Sequence, residues 1–272
     1  MKKHQMVISD FDGTLFRSDH TISEETKSVI SNFVANGGVF VISTGRGLQS
    51  ILPLARRFGF KGCISCFNGA VIADIETGKR IFERKHTVQD SCDICKILED
   101  LGLYITALGI EKYYAQMRTP FLDNYEKVTA TKACLSGKVL SEFFEENLVE
   151  CVKVVAIVAE ESRDSLLAEV EKRLQDRFYV TSSAKWLIEI CPKGVSKGTA
   201  VEFLANYYNV PIENVIAVGD SLNDLPMIRT AGLGLAVKNA ETALKNEAEV
   251  YPYTNDENAV ARIIEEYALK EI

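Results

Sequence analysis

Two carboxylates stand two positions apart near the start of the chain, directly after a short apolar run. Met6–Ile8 has the composition of a buried strand, and Gly13 supplies the turn that closes the segment. Because alternate residues of a strand point the same way, Asp10 and Asp12 are expected to serve one substrate. One is suited to nucleophilic attack and the other to giving and taking protons. A plain strand end capped by acids and a glycine turn has the same pattern, so the prediction needs support from elsewhere in the chain.

Similar side chains follow two more buried-strand runs and open one predicted helix. The runs 39–42 and 215–218 are each followed by hydroxyl or acidic residues, and a lysine follows the loop 194–196. The carboxyl ends of strands in an open α/β sheet form the edge at which such sheets bind ligands. Together these residues are suited to binding a phosphate beside a divalent cation. They are Ser43, Thr44, Arg46, Lys197, Asp220, Asn223 and Asp224.

The motifs resemble those of the haloacid dehalogenase-like (HAD) phosphohydrolases over essentially the whole chain. The resemblance is carried by residues 10–14 (Asp-Phe-Asp-Gly-Thr), 44–46 (Thr-Gly-Arg), Lys197 within Gly-Val-Ser-Lys-Gly, and 219–224. Their order and spacing are similar to those of the Cof-type branch, which has a large α/β cap of type IIB between the second and third motifs. The segments Phe67–Ala70 and Ile190–Gly194 also resemble that branch.

Two departures from the family pattern are mild. Ser43 directly precedes Thr44, so either of the two hydroxyl groups could contact the phosphate. Ala236-Val237 stands where the branch is expected to have Ala-Met.

The resemblance implies a Mg²⁺-dependent phosphatase that acts through an aspartyl-phosphate on Asp10. Asp12 would protonate the leaving alcohol and then deprotonate the attacking water, which requires a raised pKa. The implied metal ligands are Asp10, Asp220 and the backbone carbonyl of Asp12, with Asp224 supporting the metal from close by. The implied phosphate contacts are Phe11, Thr44, Gly45, Lys197 and Asn223, and the implied substrate contacts are Arg46, Asn68 and Gly69.

Several of these residues also have a purely structural explanation. Thr44 could cap the helix that follows it, and Arg46 could be a surface ion-pair partner. Asp224 could be an acid at a helix N-terminus, where the helix dipole stabilises it. Lys197 at a helix start is unfavourable beside that dipole, so a plain solvated lysine is less natural there.

The reaction and its substrate leave alternatives open. A dehalogenase does not need a second acid at this position, because a halide leaves without a proton. The presence of Asp12 therefore favours an ester whose leaving group must be protonated. A phosphomutase or phosphotransferase would use the same nucleophile, and a sensor would keep the fold without turnover. Sugar phosphates, phosphorylated cofactors and nucleotides all remain as substrate classes. The cap residues considered for contact with substrate are Tyr113, Tyr114, Arg118 and Trp186, although aromatic residues in strands commonly belong to the core.

Composition agrees with a globular enzyme of the cytoplasm. The chain has 272 residues, of which 47% are hydrophobic and 25% charged. Its net charge of −7 argues against a nucleic-acid partner. The resemblance implies a small phosphorylated metabolite as the partner. Neither a signal peptide nor a membrane-spanning run is expected. Seven cysteines, an odd number, suggest reduced thiols, and the pairs in 63–66 and 92–95 are interpreted as packing residues rather than zinc ligands.

Alternating strand and helix patterns predict an α/β fold with a Rossmann-like parallel sheet. Residues 1–83 and 191–272 are expected to form the core domain. Residues 84–190 combine hairpins with amphipathic helices and are expected to form an inserted α+β cap domain that sets substrate specificity. Within the cap, the stretch 119–148 gives no clear pattern, and an amphipathic helix is expected over 162–176. In the second core segment, helices are expected over 223–231 and about 256–269.

Overall fold

A computed structural model describes residues 4–174 and 177–270 of the chain. The strands of this part are β1 (Met6–Ser9), β2 (Val39–Ser43), β3 (Cys63–Cys66), β4 (Val71–Asp74), β5 (Arg80–Glu83), β6 (Tyr104–Leu108), β7 (Tyr113–Ala115), β8 (Cys134–Leu135), β9 (Lys153–Ile157), β10 (Tyr179–Thr181), β11 (Leu187–Cys191), β12 (Val215–Gly219), β13 (Leu233–Ala236) and β14 (Glu249–Val250). The α-helices are α1 (Glu24–Ala35), α2 (Leu48–Arg57), α3 (Val88–Asp100), α4 (Pro120–Thr129), α5 (Leu140–Asn147), α6 (Arg163–Leu174), α7 (Lys197–Tyr207), α8 (Leu225–Thr230), α9 (Thr242–Lys245) and α10 (Ala259–Ile263).

The larger sheet is built from both ends of the chain. Its order is β14-β13-β12-β1-β2-β3-β4-β5, in which β14 to β3 run parallel and β4 and β5 add an antiparallel hairpin. The strands β1 and β12 are apolar and buried throughout, as expected of parallel strands covered on both faces. Since β1 lies between β2 and β12, the residues that follow these three strands meet at one edge of the sheet.

The middle of the chain forms a second sheet, ordered β10-β11-β9-β6-β7-β8. One face packs on α3, α5 and α6 through residues such as Ile94, Phe144 and Val170. Residues on the opposite face, including Val155 and Leu187, join the hydrophobic cluster of the larger sheet. The second sheet therefore lies as a cap over the parallel core, and the predicted fold class is confirmed.

The domain boundaries stay a prediction. The last strand of the first core segment, β5, ends at Glu83, where the cap was expected to begin. The strand β11 of the cap sheet ends at Cys191, which is the residue at which the second core segment was expected to start.

Local structure differs from the sequence prediction in three places. The unassigned stretch 119–148 contains α4, β8 and α5. The helix expected over 223–231 is a short 3₁₀ turn, Leu222–Asp224, followed by α8. The closing helix expected over 256–269 is α10 continued by a π-helical segment, Ile264–Leu269. The last two residues of the helix expected over 162–176 lie outside the described part of the chain.

Candidate active site

Three carboxylates from three separate segments converge at the edge of the parallel sheet. Asp10 follows β1, Asp220 follows β12, and Asp224 ends the 3₁₀ turn after it. One oxygen from each carboxylate lies within 4.8 Å of the others. Strand register brings them together, because Ile8 pairs with Ala217 and both strands end at the same edge. The structure thus brings together three of the acids that the sequence analysis named as candidate site residues.

A fully buried lysine neutralises part of this charge. Lys197 is the first residue of α7, and its Nζ donates to Asp10 Oδ1 at 2.5 Å and to Asp224 Oδ1 at 2.6 Å. A capping box between Ser196 and Thr199 fixes the start of the helix and thereby the direction of the lysine. Burial opposes the charge of Lys197, but the two carboxylates outweigh burial and raise its pKa.

Backbone amides and a hydroxyl group donate hydrogen bonds that hold Asp224 and Asp220 in place. Asp224 Oδ2 accepts from the amides of Asp220 at 2.8 Å and Ser221 at 3.0 Å. Thr14 Oγ1 donates to Asp220 Oδ1 at 2.8 Å. Gly13 has a φ of +78°, and a Cβ there would lie 2.7 Å from Asp220 Oδ2, so a side chain would displace that carboxylate. Asp224 is thus both a turn-stabilising acid and a direct hydrogen-bond partner of Lys197.

The acidic cluster fits a hard divalent cation. Burial raises the pKa of Asp10, and it raises the pKa of Asp220 to about 7. Three carboxylates face a single ammonium group, so the ionised cluster has an excess of negative charge. Carboxylate and carbonyl oxygens are the ligands that Mg²⁺ prefers, so the donor set suits this ion.

Asp12 lies beside the cluster and is paired with Arg46. Arg46 Nε donates to Asp12 Oδ2 at 2.6 Å, and Nη2 donates to Oδ1 at 2.7 Å. The Asp12 side chain is 46% exposed, whereas that of Arg46 is 11% exposed and lies 5.7 Å from the ring of Phe11. Arg46 is therefore an ion-pair partner, as one explanation had it, and its partner Asp12 is a half-exposed acid that lines the cavity.

The loops after β2 and β3 form the wall beside Asp12. The amide of Arg46 donates to Thr44 Oγ1 at 3.1 Å, and the N-cap of α2 is Gly47, so Thr44 does not cap that helix. Asn68 Oδ1 accepts from Asn223 Nδ2 at 3.0 Å. Gly69 lies against the loop before α7, where a Cβ would be 2.4 Å from the carbonyl oxygen of Ser196.

A cavity of about 240 Å³ opens between this edge and the cap. The core contributes side chains that the sequence pointed to, and the cap contributes several that it did not. Trp186 lines the cavity, whereas Tyr113 packs against Tyr125, Tyr114 packs against Phe144, and Arg118 pairs with Glu126. The lining residues are Asp10, Asp12, Thr44, Gly45, Arg46, Tyr125, Val128, Thr129, Lys153, Ser183, Ala184, Trp186, Leu187, Glu189, Ser221 and Asn223.

Two charged cavity residues, Lys153 and Glu189, escaped the sequence analysis. They form a buried ion pair on the core-facing side of the cap sheet. The available signal was a charged residue in each of two otherwise apolar strands, Lys153–Ile157 and Leu187–Cys191. A charge at such a position needs a buried partner.

The fold and the site are those of a known family. The chain matches the family described as haloacid dehalogenase-like hydrolase over residues 7–264. It belongs to the haloacid dehalogenase-like hydrolases.

Relatives of this hydrolase extend over nearly its whole length. The 5-amino-6-(5-phospho-D-ribitylamino)uracil phosphatase YitU of Bacillus subtilis is 31% identical over 275 residues, covering 97% of this chain and 98% of the relative. A solved structure of a haloacid dehalogenase-like hydrolase from Bacillus subtilis is 27% identical with a TM-score of 0.80, covering 96% of this chain and 99% of the other.

A third comparison concerns the fold alone. The HAD subclass IIB sugar phosphatase BT4131 is 18% identical, with a TM-score of 0.81 over 96% of this chain and 98% of that one. The predicted family, with its Cof-type cap, is confirmed, and so is the predicted class of enzyme, a phosphatase of this family. None of the helices within residues 4–174 and 177–270 is long and apolar enough to cross a membrane.

Proposed function

We propose that this hydrolase is a Mg²⁺-dependent phosphatase that cleaves small phosphate monoesters through an aspartyl-phosphate on Asp10. The observation that carries the proposal is the buried contact of Lys197 with Asp10 and Asp224 at the floor of a cavity that also presents Asp12. A nucleophile, a proton donor and a fixed positive charge then face one bound phosphoryl group.

Asp10 attacks phosphorus and the bond to the ester oxygen breaks. Lys197 holds Oδ1 of Asp10, which leaves Oδ2 as the attacking atom. The lysine charge restrains the carboxylate and also offsets the charge of the phosphate oxygens. The phosphate is further held by the amides of Phe11 and Gly45, the hydroxyl of Thr44 and the side-chain amide of Asn223. These contacts offset the negative charge of the phosphate monoester, so that its phosphorus can be attacked by the carboxylate of Asp10.

Asp12 transfers the protons of both half-reactions. It protonates the ester oxygen as the alcohol leaves, and it then takes a proton from the water that attacks the aspartyl-phosphate. The bidentate pair with Arg46 aims the carboxylate of Asp12 into the cavity, and Arg46 itself is placed to contact the substrate. Asn68 supports this region through its hydrogen bond with Asn223, whereas Gly69 lies against the loop before α7.

The proposed metal site consists of Asp10, Asp220 and the backbone carbonyl of Asp12, with Asp224 close by. When bound there, Mg²⁺ supplies positive charge that neutralises phosphate oxygens and orients the phosphoryl group. The excess of carboxylates over ammonium groups in the cluster supports this assignment.

The substrate is proposed to be a small phosphorylated metabolite whose organic part lies against the cap. Residues 84–190 are the proposed cap domain, and residues 1–83 with 191–272 the proposed core. The apolar side chains of Tyr125, Trp186 and Leu187 face the cavity, which favours a phosphorylated cofactor or nucleotide-like ester beside the sugar phosphates. The name of the ribitylaminouracil phosphatase relative supports the same range.

The proposed cellular setting is the cytoplasm, with no nucleic-acid or membrane partner. The net charge of −7 and seven free cysteines support this setting.

Phosphate release from p-nitrophenyl phosphate and a panel of sugar, cofactor and nucleotide monoesters tests the function. We expect turnover with Mg²⁺, loss of turnover when EDTA replaces Mg²⁺, and recovery when Mg²⁺ is restored. The ranking of the esters by kcat/KM identifies the substrate class. A folded protein that releases no phosphate from any ester, with Mg²⁺ present, would contradict the proposal.

The substitution Asp12→Asn is expected to separate the two half-reactions. The nitrophenolate of p-nitrophenyl phosphate leaves without protonation, so the first step survives, whereas hydrolysis of the aspartyl-phosphate loses its base. We expect a burst of about one equivalent of nitrophenol per site, followed by turnover slowed by about 10²–10⁴-fold. Stopped-flow absorbance measures both phases. Alkyl phosphates should show no burst, and equal losses for both kinds of ester would argue against this role.

A further inference from the structure

A buried ion pair of the cap contacts two separate loops of the core. Lys153 and Glu189 lie on β9 and β11, and their side chains are 1% and 2% exposed. Lys153 lies on the same face of β9 as Val155, and Glu189 lies on the same face of β11 as Leu187. Both apolar residues belong to the hydrophobic cluster of the larger sheet. Lys153 Nζ donates to Glu189 Oε1, so each charge has its partner inside the cap. Their remaining hydrogen bonds nevertheless go to the core.

Lys153 reaches the loop that follows β2. Its Nζ donates to the carbonyl oxygen of Gly45 at 2.6 Å. The amide at the other end of the same peptide group, that of Arg46, donates to Thr44 Oγ1. The peptide between Gly45 and Arg46 is therefore held at both ends. Its orientation also fixes the hydroxyl of Thr44, which belongs to the proposed phosphate pocket.

Glu189 determines the orientation of two side-chain amides. Its Oε2 accepts from Asn68 Nδ2 at 3.0 Å, so the NH₂ group of Asn68 must face the cap. The oxygen of Asn68 then faces Asn223 and accepts from Asn223 Nδ2 at 3.0 Å. Asn68 and Asn223 are both buried, and a carboxylate accepts without donating, so neither amide can rotate without losing a bond. Glu189 thereby sets which atoms of Asn223 face the cavity.

We propose that Lys153 and Glu189 are positioning residues that complete the phosphate pocket only when the cap is closed on the core. The inference rests on the proposed phosphatase function. Both residues belong to the cap sheet, and both hydrogen-bond partners, Gly45 and Asn68, belong to core loops. Opening of the cap breaks the two contacts together and releases Gly45 and Asn223. Closure over a substrate therefore assembles the phosphate pocket in the same movement that excludes water.

The alternative is that the ion pair only fastens the cap to the core. Removal of a single charge does not distinguish these roles, because the charge left behind is buried without a partner and destabilises the fold. The double variant Lys153→Met/Glu189→Gln removes both charges and keeps the side-chain sizes. A fastening role predicts that the double variant recovers stability and activity together. A positioning role predicts that it recovers stability alone, since glutamine can donate or accept and no longer orients Asn68.

The experiment measures binding of inorganic phosphate by calorimetry with Mg²⁺ present, kcat and KM for p-nitrophenyl phosphate, and the thermal midpoint. We expect the double variant to melt close to the wild type and to bind phosphate about tenfold more weakly or worse, with a similar fall in kcat/KM. Glu189→Asp keeps the charge for Lys153 but draws the carboxylate back from Asn68. It is expected to retain stability and to lose phosphate affinity in the same way.

The control is Arg80→Met, which removes an exposed ion pair between core and cap together with the contact of Arg80 with Glu83. Arg80 Nη1 lies 3.6 Å from Glu111 Oε1, away from the loops of the phosphate pocket. This variant should bind phosphate and turn over as the wild type does. Wild-type phosphate affinity in the double variant and in Glu189→Asp would overturn the positioning role and leave the phosphatase proposal intact. A wild-type protein that neither binds phosphate nor hydrolyses an ester would overturn both.

Discussion

The substitution Asp10→Asn is expected to lower phosphate release by a factor of about 10⁴ or more, the scale seen when an enzyme loses its nucleophile. An amide cannot form the acyl phosphate, and no other carboxylate of the described cluster is proposed to attack. The fold should survive, because Lys197 keeps its contact with Asp224. Loss of one of three clustered carboxylates also removes repulsion, so the metal-free variant should melt at or above the wild-type temperature.

Rapid acid quenching with mass spectrometry provides the direct measurement. The wild type should yield a phosphorylated peptide that contains Asp10, and the variant should yield none. Asp19→Asn serves as the control, because Asp19 is an exposed carboxylate outside the cavity. Activity in Asp10→Asn above about one hundredth of the wild-type rate would exclude Asp10 as the nucleophile.

The substitution Lys197→Met is expected to have the second largest effect, and it acts on stability, metal binding and turnover. Asp10 and Asp224 would lose their buried counter-ion, which costs about 3–5 kcal/mol of the free energy of unfolding without metal. The site would become more negative by one charge, so its affinity for Mg²⁺ should increase even as kcat falls by about 10²–10³-fold. Tighter metal binding in a nearly inactive variant is the distinctive expectation.

Thermal unfolding at a series of Mg²⁺ concentrations measures stability and metal affinity together, since a ligand that binds only the folded state raises the midpoint. Lys193→Met is the matched control, because Lys193 is an exposed lysine in the loop before α7. Its substitution should change neither the midpoint nor the response to Mg²⁺. If Mg²⁺ bound more weakly to Lys197→Met than to the wild type, the lysine would support the metal site in another way than by its charge.

The elements of the core were largely predictable from local patterns. The strands β1, β2 and β12 are short, apolar and buried, so their runs stand out against the amphipathic helices between them. Segment 119–148 of the cap was not resolved by the sequence analysis, because its helices are short and half exposed and its strand β8 has only two residues. Its contributions to the cavity, Tyr125, Val128 and Thr129, were missed with it.

The placement of the candidate site residues was predictable where one motif follows one strand. Asp10, Asp12 and Asp220 stand directly after apolar runs, and the parallel register of β1 and β12 brings such positions to one edge. Arg46 shows the limit of this reasoning. The motif indicated the residue, but its ion pair with Asp12 joins positions 34 apart and depends on how two loops face each other.

The sequence alone determined the α/β class, the edge of the sheet at which the acids meet and the family to which the chain belongs, because strand periodicity and short motifs are local properties. Only the tertiary structure decided that Lys153 and Glu189 pair within the cap sheet and contact Gly45 and Asn68 of the core. The physical reason is that a charged residue in an apolar strand indicates that a buried partner is needed but does not identify that partner. The partner is chosen by the packing of the cap against the core, which brings together residues more than 100 positions apart.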